Sequence, residues 1–186
     1  MGEGRILAPA EYQRHAAVLV PFYENQGRTS ILFTERTQNL PSHKGQTSFP
    51  GGGAEATDVD LEMTALRETH EEIGLPPAQV EILGQLDDIV TVTDYVISPY
   101  VGWIPGVEDL KPDPGEVARF HEVFLDDLLR PEIYERKDDY EFRGRPYPVH
   151  FFRLEGVTIW GATGKMLAQL LKDVFDWHGE VGDYLS

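Results

Sequence analysis

Cysteine is absent from this 186-residue chain. That excludes disulfides, thiolate-ligated zinc and a cysteine nucleophile. Long apolar runs are missing as well, none approaching the ~20 residues that a membrane-crossing helix needs. The first residues carry no basic stretch followed by an apolar one, so no secretory leader is expected and the cytoplasm is the expected compartment. Basic residues are scarce: 16 Lys and Arg stand against 32 Asp and Glu, a formal charge of −16. Such a surface repels nucleic acid and anionic membranes at long range, and neither is expected as a partner. An anionic small molecule stays admissible where a bound divalent cation neutralises the local charge. Internal repeats and low-complexity tracts are also lacking.

What is present suits one folded domain. Hydrophobic residues make up 41% of the chain and aromatics 11%, enough for a sizeable core. We expect an irregular arm over residues 1–12, one domain over 13–178 and a tail over 179–186. His15–Phe22 (HAAVLVPF) is a compact apolar run that reads as a buried strand. Asn25-Gln26-Gly27 supplies turn chemistry before a second strand, Thr29–Glu35, which predicts a hairpin. Gly51-Gly52-Gly53 after Pro50 reads as a loop. Val80–Leu86, Tyr95–Ile104, Glu116–Phe124 and Val149–Leu154 are further strand candidates, with turn-rich or polar segments at Pro105–Gly115 and Lys137–Pro148. Leu167, Leu170, Leu171, Val174 and Trp177 fall at helical spacing within Gly164–Trp177. Strands interleaved with two good helices predict an α/β (α+β) fold, a mixed sheet covered by helices.

The informative segment is Gly51–Leu75, GGGAEATDVDLEMTALRETHEEIGL. Thr57 or Asp58 is the expected helix N-cap, and Gly74 with Pro76 and Pro77 the stop. At about 100° per residue, Met63, Leu66, His70 and Ile73 share one arc, the expected core face, with His70 a core histidine. Glu68, Glu71 and Glu72 share the opposite arc, with Leu61 and Ala65 walling its N-terminal end. Like charges at helical neighbour spacing each cost a few tenths of a kcal/mol. Either this is an acidic solvent face, or the carboxylates are placed for a hard cation such as Mg²⁺ or Mn²⁺. The adjacent glycines favour the cation, because backbone without Cβ atoms can approach a phosphate or a metal.

Gly53 followed by Arg67-Glu68-Thr69-His70-Glu71-Glu72-Ile73-Gly74-Leu75 resembles the signature box of the Nudix hydrolases, which cleave a nucleoside diphosphate linked to another group. The box carries a glutamate where this chain has Val59, flanked by Asp58 and Asp60. The resemblance extends upstream. Leu32-Phe33-Thr34-Glu35-Arg36 and His43-Lys44-Gly45-Gln46-Thr47-Ser48-Phe49-Pro50-Gly51-Gly52 are similar to the segment that marks the coenzyme A pyrophosphatase branch of that family. So are Ala16-Ala17-Val18-Leu19-Val20-Pro21 and Trp160-Gly161-Ala162-Thr163. The branch has Leu-Arg where this chain has Leu40-Pro41.

The resemblance implies a Nudix α/β/α sandwich with a mixed sheet, Mg²⁺ or Mn²⁺ as cofactor, and coenzyme A or its thioesters as the small-molecule partner. By the same resemblance Glu68 and Glu72 are the principal metal ligands, Glu71 shares the site, and the Gly52 and Gly53 carbonyls are available as further oxygens. Glu68 is favoured as the proton acceptor, and Arg67 joins the catalytic group by orienting Glu71, its i,i+4 neighbour. Arg36, His43, Lys44 and Gln46 are the expected substrate contacts, and Glu116 is a candidate extra base or ligand. Two other readings stay open: a Nudix hydrolase of another nucleotide, such as ADP-ribose or a dinucleoside polyphosphate, and a Nudix-fold module that binds without hydrolysing. Oligomeric state is open, a homodimer included. Gly161–Met166 has the wrong spacing for a phosphate loop, and Asp87-Asp88, Asp126-Asp127 and Asp138-Asp139 read as solvated loops or caps.

Overall fold

A computed structural model describes residues 14–38, 45–142 and 144–177. The expected arm, the whole of the tail, Pro41, His43 and Lys44 therefore lie outside the described residues. Its strands are β1 Arg14–Asn25, β2 Arg28–Arg36, β3 Thr47–Ser48, β4 Gly51–Gly53, β5 Glu81–Gln85, β6 Ile89–Val90, β7 Tyr95–Trp103 and β8 Val117–Phe124. A second group follows: β9 Tyr134–Lys137, β10 Glu141–Phe142, β11 Arg145–Pro146, β12 Val149–Leu154 and β13 Val157–Trp160. The α-helices are α1 Leu61–Ile73, α2 Leu125–Leu128 and α3 Gly161–Phe175.

β1 organises the sheet. It pairs antiparallel with β2 through the expected hairpin, whose Gln26 and Gly27 both take positive φ (53° and 77°). It pairs parallel with β7 from Arg14–Tyr95 to Phe22–Trp103, so the sheet is mixed. The full order runs β8, β2, β1, β7, β5, with β3 added to β2, β4 to β1 and β6 to β7. Both faces of β1 are apolar because both are covered. Val18, Val20 and Phe22 join the core under α3, with Ile31, Phe33, Leu167, Leu170 and Leu171. Leu19 and Tyr23 face the other layer with Ile73 and Leu75, while Ala17 packs on Ala65 of α1. That period-two division makes an α/β/α sandwich.

Three expectations give way. Gly51–Gly53 is a strand, paired with Val18, Ala17 and Ala16, because neighbouring backbone offers a ladder that overrides glycine's low strand preference. α3 begins at Gly161, and Trp177 lies beyond its end at Asp176, where the indole donates to the Leu129 carbonyl at 3.0 Å. Lys137–Pro148 holds the small β10–β11 hairpin. The three-stranded sheet β13-β12-β9 contains two short strands that the reading missed.

α3 lies tight against β12. A Cβ added at Gly164 would collide with the His150 carbonyl oxygen, which is backbone and has nowhere to go. Gly164→Ala is therefore expected to cost about 1–3 kcal/mol of stability, although alanine is the better helix former. Urea unfolding of the two proteins at neutral pH checks this.

Candidate active site

The chemistry-bearing helix is capped differently from the expectation. Asp60, extended at φ −157°, accepts from the Met63 N–H at 2.8 Å. Gly74 ends the helix in the left-handed region (φ 73°), its N–H bonded to His70 O. The face turned inward is also a correction. Met63 is 44% exposed and His70 is exposed, while Thr64, Ala65, Thr69, Glu72 and Ile73 are buried. α1 lies with its carboxylate side toward β4. Small residues explain the choice: Ala65 on Ala17 lets the helix come close, and the glycine strand presents bare backbone.

Glu72 is only 4% exposed. Its Oε2 accepts from the Gly51 N–H at 3.1 Å, and Arg36 Nη1 stands 3.7 Å from Oε1. Burial pushes its carboxyl up to about 7, Gly51 and Arg36 pull the other way, and Glu116 and Glu68 add to the rise. Glu68 lies over Gly52, where any Cβ would collide with its carboxylate. Burial raises the Glu68 carboxyl as well; Arg67 opposes the shift, and Glu71 and Glu116 reinforce it. Glu71 is exposed, and its Oε2 accepts from Arg67 at 3.2 Å.

Arg67 does more than orient Glu71. Its Nη1 also donates to Glu68 at 3.0 Å, its Nη2 to the Gly53 carbonyl at 3.0 Å, and its Nε and Nη2 to both oxygens of Asp58 at 2.9 Å. Asp58 thus stands in the site rather than at the helix cap, a role the reading left open among the residues flanking Val59. Its one sequence signal was an acidic residue next to the box position occupied by Val59.

Loops close the rim. Arg36 ends β2, its N–H bonded to Gln46 O at 3.0 Å, so the two expected substrate contacts adjoin each other and Arg36 reaches Glu72. Arg36 Nε is buried with no hydrogen-bond partner among the described residues. Glu116 is brought in by Thr37, whose N–H bonds Glu116 O and whose hydroxyl bonds Gly115 O at 3.0 Å. Expected residues Arg36, Gln46, Arg67, Glu68, Glu71, Glu72 and Glu116 therefore share one region; His43 and Lys44 lie outside the described residues.

The donor set suits a hard divalent cation. Glu68 and Glu72 are carboxylates whose burial makes their own charge unfavourable, and the Gly52 cradle exists only because a Cβ is missing. Among the described residues no three His, Asp or Glu side chains already converge at ligand spacing. The reason is visible: Arg67 Nη1 draws the Glu68 and Glu71 carboxylates to itself.

A mixed sheet between helices, with a glutamate helix laid on a glycine strand, defines an α/β/α sandwich, and the comparisons give the family. The NUDIX domain model matches residues 13–143. The chain is 37% identical over 165 residues to an uncharacterized Nudix hydrolase, NudL, of Photorhabdus laumondii, covering 89% of this chain and 87% of that one. Its fold is similar to a MutT/nudix family protein from Enterococcus faecalis, with TM-score 0.59 and 17% identity over 92% of this chain and 66% of that one. It is also similar to a C. elegans Ap4A hydrolase in a binary complex, with TM-score 0.52 and 20% identity over 61% and 83%. The chain belongs to the Nudix family and is a Nudix hydrolase of the pyrophosphatase class. No helix among the described residues is long and apolar enough to cross a membrane.

A carboxyl raised in the folded state adds stability below its unfolded pKa and loses it as pH rises through the folded value. For Glu72 that window runs from 4.5 to about 7. In chelator at pH 8, Glu72→Gln is expected to be more stable than wild type by up to about 3 kcal/mol, the gap closing by pH 4.5. Saturating Mn²⁺ should reverse the order at pH 8. Denaturant unfolding across pH checks both.

Proposed function

We propose that this Nudix hydrolase cleaves the pyrophosphate of coenzyme A or its thioesters, giving 3′,5′-ADP and 4′-phosphopantetheine or its acylated form. The observation that carries the reading is the position of Arg36 and Gln46. Both belong to the upstream segment similar to the coenzyme A branch; Arg36 stands 3.7 Å from buried Glu72, and its N–H bonds the Gln46 carbonyl.

Glu68, Glu71 and Glu72, with the Gly52 and Gly53 carbonyls, would hold Mg²⁺ or Mn²⁺. When bound, the cation supplies charge neutralisation on the diphosphate and makes water acidic enough to react near neutral pH. The chain's own residues do the rest. Arg36 and Gln46, joined by His43 and Lys44 in this proposal, bind and orient the phosphates. Water oxygen bonds to one phosphorus while its bond to the bridging oxygen breaks. Glu68 takes the water proton, a role that suits a carboxyl whose proton affinity burial has raised. Arg67 holds Glu68 and Glu71 in register. The domain extends over residues 13–178 in this reading.

Incubation with coenzyme A, ADP-ribose and a dinucleoside polyphosphate, each with Mg²⁺, Mn²⁺ or chelator, tests the proposal by product chromatography. Release of 3′,5′-ADP from coenzyme A alone, lost in chelator and lowered about 10²–10⁴-fold in kcat by Glu68→Gln, is the expected outcome. Turnover of another substrate with coenzyme A left intact would overturn the substrate assignment. Tight nucleotide binding without turnover would leave the binding module instead.

A further inference from the structure

Resting on the coenzyme A reading above, we infer that the outer face of the sheet β13-β12-β9 is a subsite for the nucleotide half of the substrate. The Trp160 indole stacks the base, and Arg153 and Lys137 receive the phosphate that lies outside the scissile pyrophosphate. Alternation along the strands gives this sheet two faces. Phe152, Leu154, Val157 and Ile159 belong to the core under α3 or pack against it. Phe151, Arg153 and Trp160 therefore point the other way, together with Glu135 and Lys137, as the cross-strand register requires.

Phe151 stands directly opposite Trp160, and the two rings are parallel to within 4° with centroids 6.0 Å apart. Both cations stand over the phenylalanine: the Arg153 guanidinium carbon is 4.8 Å and Lys137 Nζ 5.5 Å from its centroid. Glu135 fixes the guanidinium by accepting from Nε at 3.2 Å and Nη2 at 2.9 Å, and it lies 3.6 Å from Lys137 Nζ. One carboxylate thus serves two cations, and Arg153 Nη1 has no partner among the described residues. The indole, 41% exposed, carries no cation among the described residues and is the free aromatic surface of the row. Cross-strand packing accounts for Phe151 beside Trp160, but not for the charge. Residues 134–165 hold six of the chain's 16 Lys and Arg and only five of its 32 Asp and Glu, so a strongly acidic chain ceases here to repel an anion. The sheet also adjoins the diphosphate site. β13 packs beside β3, which follows Gln46 and leads through Pro50 into the glycine strand. Coenzyme A has the matching chemistry: a planar adenine, and a 3′-phosphate that survives cleavage in 3′,5′-ADP. ADP-ribose has no phosphate outside its pyrophosphate. Because stacking tolerates any base, the discrimination between these nucleotides falls on the cations.

Calorimetric titration of the full-length chain with 3′,5′-ADP and with AMP, with turnover of coenzyme A measured alongside, tests this. Trp160→Ala is expected to weaken 3′,5′-ADP binding about 5- to 100-fold, the range for losing one base–aromatic stack. It should raise KM for coenzyme A by more than it lowers kcat, and Trp160→Phe should recover most of the loss. Wild type should favour 3′,5′-ADP over AMP by about 3-fold or more, a preference that fades with added salt. Lys137→Ala combined with Arg153→Ala should abolish that preference while AMP affinity stays within about 2-fold. Trp103→Ala, which removes an exposed aromatic from the other sheet, should leave all of these values within about 2-fold. Unchanged 3′,5′-ADP affinity and KM in Trp160→Ala, or an equal loss in Trp103→Ala, would overturn the inference. So would a Trp160-dependent dimer in sedimentation, or Trp160-dependent binding of single-stranded oligonucleotide in preference to 3′,5′-ADP. Intact coenzyme A together with Trp160-dependent binding of 3′,5′-ADP would remove the substrate reading and leave the subsite. Coenzyme A turnover indifferent to Trp160, Lys137 and Arg153 would remove the subsite and leave the substrate reading.

Discussion

The site rests on one packing decision: α1 lies on the sheet with glutamates underneath. Glu72 is buried against the Gly51 N–H, Glu68 fills the space over Gly52, and Ala65 meets Ala17 with no side chain between them. Each element of that contact is small or bare backbone, so the helix approaches closely enough for its carboxylates to reach the strand. A side chain at Gly52 would collide with the Glu68 carboxylate, and a bulkier residue at position 17 would lift the helix.

That packing leaves an electrostatic debt in the protein alone. Burial and neighbouring glutamates raise Glu68 and Glu72, and among the described residues the cations paired with them are Arg36 at 3.7 Å from Glu72 and Arg67 at 3.0 Å from Glu68. A divalent cation among these oxygens would relieve the repulsion, and the burial of Glu68 and Glu72 is at odds with a solvated acidic face at those two positions. The opposite layer is quiet by comparison. Aliphatic α3 seals it with Met166, Leu167, Leu170 and Leu171.

Several of these features are legible in the sequence itself. Asn25-Gln26-Gly27 specified the hairpin, Gly74 the end of α1, and helical spacing the common side of α1 that Glu68 and Glu72 share. The orientation of α1 was not legible, because a helical wheel assigns the apolar arc inward. Met63 and His70 are outside because the glycine strand, an element known only after folding, accepts carboxylates. Gly51–Gly53 itself reads as a loop by preference and becomes a strand only by pairing with β1. Short β9 and β13 have no local signature either; their partner β12 defines them. Asp58 was visible as an acidic neighbour of Val59, but its pairing with Arg67 spans nine residues and a loop whose path the sequence does not state.

The central claim is that the inward face of α1 is a cation site built on a glycine strand. Diffraction from crystals grown with Mn²⁺, collected at a wavelength where manganese scatters anomalously, tests it most directly. The account predicts an anomalous peak bounded by Glu68, Glu72 and the Gly51–Gly53 backbone, absent in Glu72→Gln crystals. A peak elsewhere on the acidic surface, with Glu68 still bound to Arg67 and no density at the glycine strand, would contradict it.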